Sequence, residues 1–253
     1  MKPFDQTRFA VIADIHSNAD ALVAVLEDID TQGITSVVNL GDHVSGPMAP
    51  RETADILMER GFPSIKGNHD RLVTESDPSA MGSIDLVAFN ELTPTHLKWL
   101  KDMPTTAQLS PDIFACHGTP NDDLTYWLEA VSPEGEITLR PRAEIEAETD
   151  GIAASLFLCG HTHLPRRVDL PGGRVILNPG SVGCPGYMDD IPVDHIVQSG
   201  TPAACYAVVE QTERGWLTGF RHIPYDPTRM IESATQASHP QWADRIASGW
   251  VTT

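Results

Sequence analysis

Short apolar runs alternate with helically spaced apolar positions through the first third of the chain. Phe9 to Ala13 is an unbroken apolar run ending at Asp14, and it predicts a buried strand. Between Ala19 and Gln32 the apolar positions Leu22, Val25, Leu26 and Ile29 have helical spacing, and Gly33 stands where a helix would stop. Ser36 to Leu40 predicts a second strand, Arg51 to Glu59 a second helix stopped by Gly61, and Phe62 to Lys66 a short third strand. This β-α-β-α-β order predicts a largely parallel sheet covered by helices.

Residues 77–109 break that rhythm. Thr93-Pro94 marks a helix start, followed by Leu97, Trp99 and Leu100, and the region reads as a helical cap inserted over one end of the sheet. Ile113 to Cys116 and Leu156 to Cys159 return to strand character. Between them, Glu134 to Asp150 carries six acidic residues and reads as a solvated helix with loops. Beyond His163 the pattern changes to hairpins. Arg167 to Leu170 pairs with Arg174 to Leu177 across Pro171-Gly172-Gly173, and Ala204 to Gln211 pairs with Trp216 to Ile223. Parallel strands early and antiparallel strands late predict two mixed sheets packed together. Residues 224–253 form a C-terminal extension with an appended helix. The expectation is one domain across residues 1–253.

Composition narrows the function classes. With 253 residues and 41% hydrophobic content the chain can bury a substantial core. Seventeen Lys and Arg against 35 Asp and Glu leave a formal charge of −18. Such a surface repels phosphate backbones, which excludes stable nucleic-acid binding. A local phosphate site would need its own positive charge, and bound metal ions supply that. The longest apolar stretch, Gly151 to Cys159, is too short to cross a bilayer, and the first residues lack the apolar core of a signal peptide. Cys116, Cys159, Cys184 and Cys205 form no CxxC pair, so a reducing, cytoplasmic setting is expected.

The residues that directly follow apolar runs carry the chemistry. They are Asp14-Ile15-His16, Gly41-Asp42, Gly67-Asn68-His69-Asp70, Cys116-His117-Gly118 and Gly160-His161-Thr162-His163. Ligands of open α/β sheets bind beyond the carboxyl ends of strands, so five strand ends deliver carboxylates, imidazoles and a carboxamide to one rim. These donors suit Mn, Fe, Zn, Co or Ni. Seven of them exceed what a single ion with an open position can use, but they suffice for two ions sharing a carboxylate. Such a pair would activate a bridging water and clamp a phosphoryl group for in-line attack.

In this order, the motifs resemble the signature of the calcineurin-like metallophosphoesterases across residues 9–163. The segment Asn178-Pro179-Gly180-Ser181-Val182-Gly183 extends the resemblance to about residue 183. The resemblance implies a four-layer α/β/β/α sandwich with a dinuclear centre of divalent or trivalent transition-metal ions. By position, Asp14, His16, Asp42 and His163 would hold one ion. Asp42, Asn68, His117 and His161 would hold the other, with Asp42 bridging. His69 would be the general acid, oriented by Asp70. The implied activity is hydrolysis of small phosphate esters or nucleotides, with phosphodiesters and dinucleoside polyphosphates favoured. The alternatives are a serine/threonine phosphoprotein phosphatase and a non-catalytic, metal-bound scaffold. The presence of both His69 and Asp70 argues against the scaffold.

Several other residues have a bland reading beside a functional one. His43 reads as an exposed loop histidine that could touch substrate. Arg71, Arg166 and Arg167 read as surface arginines within reach of phosphate oxygens. Trp99, Tyr126 and Trp127 could stack a base, although the spacing of Trp99 marks it as core beneath the cap. The 178–183 segment has turn composition and would shape the rim, and Cys184 carries no redox signal.

Overall fold

In the computed structural model, which describes residues 4–252, the chain opens with β1 (Arg8–Ile12), α1 (Ala19–Thr31), β2 (Val37–Asn39) and α2 (Pro50–Arg60). Three further helices follow, α3 (Asn68–Glu75), α4 (Ser83–Glu91) and α5 (Pro94–Lys101), and then β3 (Thr106–Ser110) and β4 (Ile113–Cys116). The hairpin of β5 (Glu129–Val131) and β6 (Ile137–Leu139) leads to α6 (Arg142–Ala147), β7 (Leu156–Leu158), β8 (Arg166–Leu170) and β9 (Arg174–Asn178). A second small hairpin, β10 (Gly186–Asp189) and β11 (His195–Gln198), precedes the long strands β12 (Ala204–Thr212) and β13 (Gly215–Ile223). Helices α7 (Thr228–Gln236) and α8 (Pro240–Ser248) close the described chain.

Two mixed sheets form the centre. One has the order β13-β12-β1-β2 and the other β3-β4-β7-β9-β8. Their two-residue periodicity explains the layering. Phe9, Val11 and Ala13 face one way and join Ile113, Ala115, Leu156, Leu158, Val175 and Leu177 in the core between the sheets. Ala10 and Ile12 face the other way, onto Leu22, Val25, Leu26 and Ile29 of α1. Phe157 and Ile176 turn outward from the second sheet onto Trp127 and Ile145 of α6. Each central strand is thus apolar on both faces because each sheet is covered on both faces. The result is the expected α/β/β/α sandwich.

The structure departs from the sequence reading in four places. Residues 62–66 contribute only an isolated parallel bridge, Asn39 to Ser64. Pro63 has no N–H to extend a ladder there. The helical stretch over residues 77–109 ends before Thr106, where β3 pairs antiparallel with β4. The β10–β11 hairpin had no clear alternation to announce it. The appended C-terminal helix is a pair, α7 and α8, held to the body by Met230, Ala234, Trp242 and Ile246 against Met48 and Cys184. Among the described residues, no helix is long and apolar enough to cross a membrane.

Candidate active site

The five motif loops meet at one end of the sandwich. Their backbone is unusual. Asp14, His16, Asp42, His161 and His163 all take positive φ, between 48° and 71°, a region non-glycine residues rarely adopt. Main-chain bonds hold them there. Asp14 N and Ile15 N donate to the carbonyls of Gly41 and Asp42, and Gly183 N donates to the Asp14 carbonyl. Ser181 Oγ donates to that same carbonyl at 2.7 Å. The Asn178–Gly183 segment therefore braces the Asp14 loop from behind. Gly41 (φ 104°) and Gly67 lie back to back, and a Cβ on Gly67 would overlap the Asp42 carboxylate.

Six of the seven proposed donor residues are at least 95% buried, and His161 is half-buried. Their donor atoms fall into two groups, Asp14, His16 and His163 in one and Asp42, His117 and His161 in the other. Asn68 Oδ1 joins the second group, 3.0 Å from His117 Nε2. Asp42 Oδ2 lies between the groups, 3.3 Å from His117 Nε2 and 3.6 Å from His16 Nε2.

Carbonyl oxygens fix the orientation of all four imidazoles. Nδ1 of His16, His117 and His163 faces the carbonyls of Ser45, Leu40 and Cys184 at 2.7–2.8 Å, which turns each Nε2 inward. His161 is reversed. Its Nε2 faces the Leu124 carbonyl at 2.9 Å, so Nδ1 points inward. A carbonyl accepts only from N–H, so the inward nitrogens of His16, His161 and His163, whose rings burial keeps neutral, carry lone pairs, whereas His117 Nε2 faces Asn68 Oδ1 and the Asp42 carboxylate. The lone pairs of His16 and His163 converge with their nitrogens 3.2 Å apart, and no hydrogen bond between two lone pairs accounts for that.

Burial, the largest influence, holds His16 and His161 down to about 4 and His163 well below its ordinary value. It also pushes Asp14 up to about 8, and Asp14 Oδ2 has no hydrogen-bond partner among the described residues. Burial would lower His117 too, but the Asp42 carboxylate outweighs it and raises that imidazole to about 10. The site thus gathers an unpartnered carboxyl oxygen and the lone pairs of His16, His161 and His163, which a cation would satisfy. Each of the two groups could hold a cation, and the N and O chemistry suits transition metals.

His69 is not in either donor group. Its Nδ1 is 2.8 Å from Asp85 Oδ1, and Ser45 Oγ bonds the same Asp85 oxygen at 2.5 Å. Burial would lower its pKa, but Asp42 and the Asp85 hydrogen bond raise it to about 9. Asp70 does not orient His69. The two follow each other in the first turn of α3, where consecutive side chains point to different sides. Asp70 turns back and accepts from the backbone N–H of Asp42, His43 and Gly67 and from the His43 ring at 2.7 Å. His43 is accordingly fully buried against Asp70 and Trp99, not an exposed substrate contact.

A cavity of about 750 Å³ opens over the donors. Tyr126 and Tyr187 form its roof, their rings 5.1 Å from His161 and 4.8 Å from His163, joined by a 2.8 Å hydroxyl bond. Trp99 and Trp127 are packed in the hydrophobic clusters, so of the three aromatics proposed from sequence only Tyr126 faces the cavity. Arg71, Arg166 and Arg167 do not line it; they pair with Asp123, Glu129 and Asp169. The arginines that do line it are Arg140 and Arg245. Nothing in the spacing of the chain marked Asp85, Tyr187, Trp242 or Arg245.

Residues 8–197 match the family model of the calcineurin-like phosphoesterase superfamily domain. The chain belongs to this family. An uncharacterised protein of Methanocaldococcus jannaschii is 25% identical over 259 residues, covering 94% of this chain and 96% of its own. The crystal structure of a metallophosphoesterase from Sphaerobacter thermophilus superposes with a TM-score of 0.73 at 24% identity, over 97% of this chain and all of that one. A hypothetical protein from Pyrococcus horikoshii gives the same TM-score at 19% identity, over 97% and 99%. These likenesses extend beyond the family model, which ends at residue 197.

Proposed function

We propose that the protein is a dinuclear metal-dependent hydrolase of small phosphate esters or nucleotides, with diesters or dinucleoside polyphosphates preferred. The observation that carries this reading is the convergence of four backbone-oriented imidazoles on two buried carboxylates. Asp14, His16, Asp42 and His163 would hold one cation, and Asp42, Asn68, His117 and His161 the other. When bound, the cations would activate water and neutralise a phosphoryl group. Manganese is a suitable probe because it accepts this N and O set.

The remaining work falls to the chain's own residues. His69, with Nδ1 held by Asp85, turns Nε2 toward the cavity it lines and can deliver a proton to a leaving oxygen. Ser45 fixes Asp85, so the ring orientation rests on two buried side chains. The Tyr126–Tyr187 roof narrows the approach to the His161 and His163 side, which favours a small ester over a phosphoprotein surface. Four buried free cysteines suit a reducing, cytoplasmic compartment.

The test is turnover of bis-p-nitrophenyl phosphate by protein reconstituted with manganese, beside a panel of mono-, di- and dinucleoside polyphosphates. Metal-dependent release from at least one ester class is expected. No turnover with any metal, in folded protein holding two ions per chain, would overturn the hydrolase reading and favour the scaffold.

A further inference from the structure

One cavity wall belongs to α8, on which both Trp242 and Arg245 line the space. Three residues apart, they share one helix face. Trp242 is 5% exposed, and its ring lies 5.8 Å from that of His16. With Ala243 and Ile246 it packs onto Cys184, whose carbonyl orients His163. The helix is therefore seated at the edge of the donor cluster, and Arg245 follows Trp242 by less than one turn.

The guanidinium of Arg245 is half-buried, yet among the described residues it has neither a hydrogen bond nor an ion pair. In a chain with 35 carboxylates this is unusual. Most other arginines are paired, and the two that are likewise free of partners, Arg142 and Arg214, are exposed and away from the cavity. Arg140, also in the wall, already donates to the Tyr126 and Trp127 carbonyls and to Glu144. Arg245 is thus the one cavity arginine whose five donors remain unused. A half-desolvated guanidinium without acceptors is costly, and a phosphate offers acceptors that match its fork.

We propose that Arg245 binds a second phosphoryl group of the substrate, so that the preferred substrate carries a further phosphate beyond the one attacked. This rests on the hydrolase reading above. It places substrate selectivity on the C-terminal helix pair, outside the residues that match the family model.

The experiment compares a dinucleoside tetraphosphate with a dinucleoside monophosphate diester on the manganese-loaded enzyme. Wild type should prefer the tetraphosphate. Arg245→Gln should reduce that preference roughly 10- to 100-fold, mainly through KM, as expected for a charge-assisted contact, and Arg245→Lys should restore part of it. Calorimetry should show the same loss for methylenediphosphonate relative to inorganic phosphate. If wild type cleaves no ester, the hydrolase reading fails and this proposal with it. If wild type cleaves both substrates and Arg245→Gln leaves their ratio and the diphosphonate Kd within twofold, only this proposal fails. Equal losses on both substrates that lysine does not rescue would also overturn it, because they would mark Arg245 as structural.

Discussion

The floor and the wall of the cavity are built on different physical terms. Five of the seven floor donors sit in strained, positive-φ backbone, and each donor imidazole is tied to a main-chain carbonyl. Wall residues such as Tyr187 and Arg245 project from a small hairpin and a terminal helix, held by ordinary packing and side-chain bonds. A floor of this kind cannot shift without breaking several backbone hydrogen bonds at once, whereas a wall can be exchanged piecemeal. Chemistry would therefore belong to the floor and selectivity to the wall.

The sharpest test of that division is Asp42→Ala. If Asp42 Oδ2 is shared between the two groups, elemental analysis should fall from about two ions per chain to nearly none, with activity below detection. A single tight ion untouched by the substitution would break the dinuclear reading. Chelation should likewise abolish activity while far-UV circular dichroism is retained. Cations held at 100–1,000 times their Kd contribute about 3–4 kcal/mol by linkage, which Tm shifts can register. Unfolding on chelation at room temperature would instead make the metals structural.

The next effect belongs to His69, which stands on the floor without being a donor to either group. His69→Ala should retain both ions and cost ~10²–10⁴-fold on alkyl or nucleoside leaving groups, with less loss on p-nitrophenolate, which departs without a proton. Metal loss in this variant would reassign His69 as a ligand. Asp85→Asn should reproduce the leaving-group pattern at about tenfold. It removes the carboxylate charge that, after Asp42, helps raise the His69 pKa. A general acid works only while protonated, so the alkaline limb of the rate profile should move to lower pH.

Asp70→Asn separates the two acidic neighbours of His69. Because Asp70 accepts three backbone N–H groups and the His43 ring, its loss should appear as a lower Tm, about 2–4 kcal/mol, with no leaving-group dependence. A leaving-group pattern like that of His69→Ala would return Asp70 to the orienting role. The smallest effect is expected at Arg167→Ala. Its Asp169 partner is exposed, so stability should change by less than about 1 kcal/mol and kcat/KM by less than twofold.

Periodicity and punctuation along the chain determined the layered sandwich and pointed to the seven proposed floor donors, because both signals are local. A strand shows its two faces every second residue, and a residue that follows an apolar strand lies at the sheet's carboxyl end wherever the strand is placed. Tertiary structure alone decided the partners. Asp70 is next to His69 in sequence, yet the helical turn sends it to His43, and Asp85, sixteen residues on, takes the place beside His69. Asp123, Glu129 and Asp169 claimed the arginines nearest the motifs, whereas Arg245, 82 residues after His163, was left free in the cavity wall. Ion pairs and hydrogen bonds depend on which side chains long-range packing brings within about 3 Å, and no spacing rule along the chain encodes that.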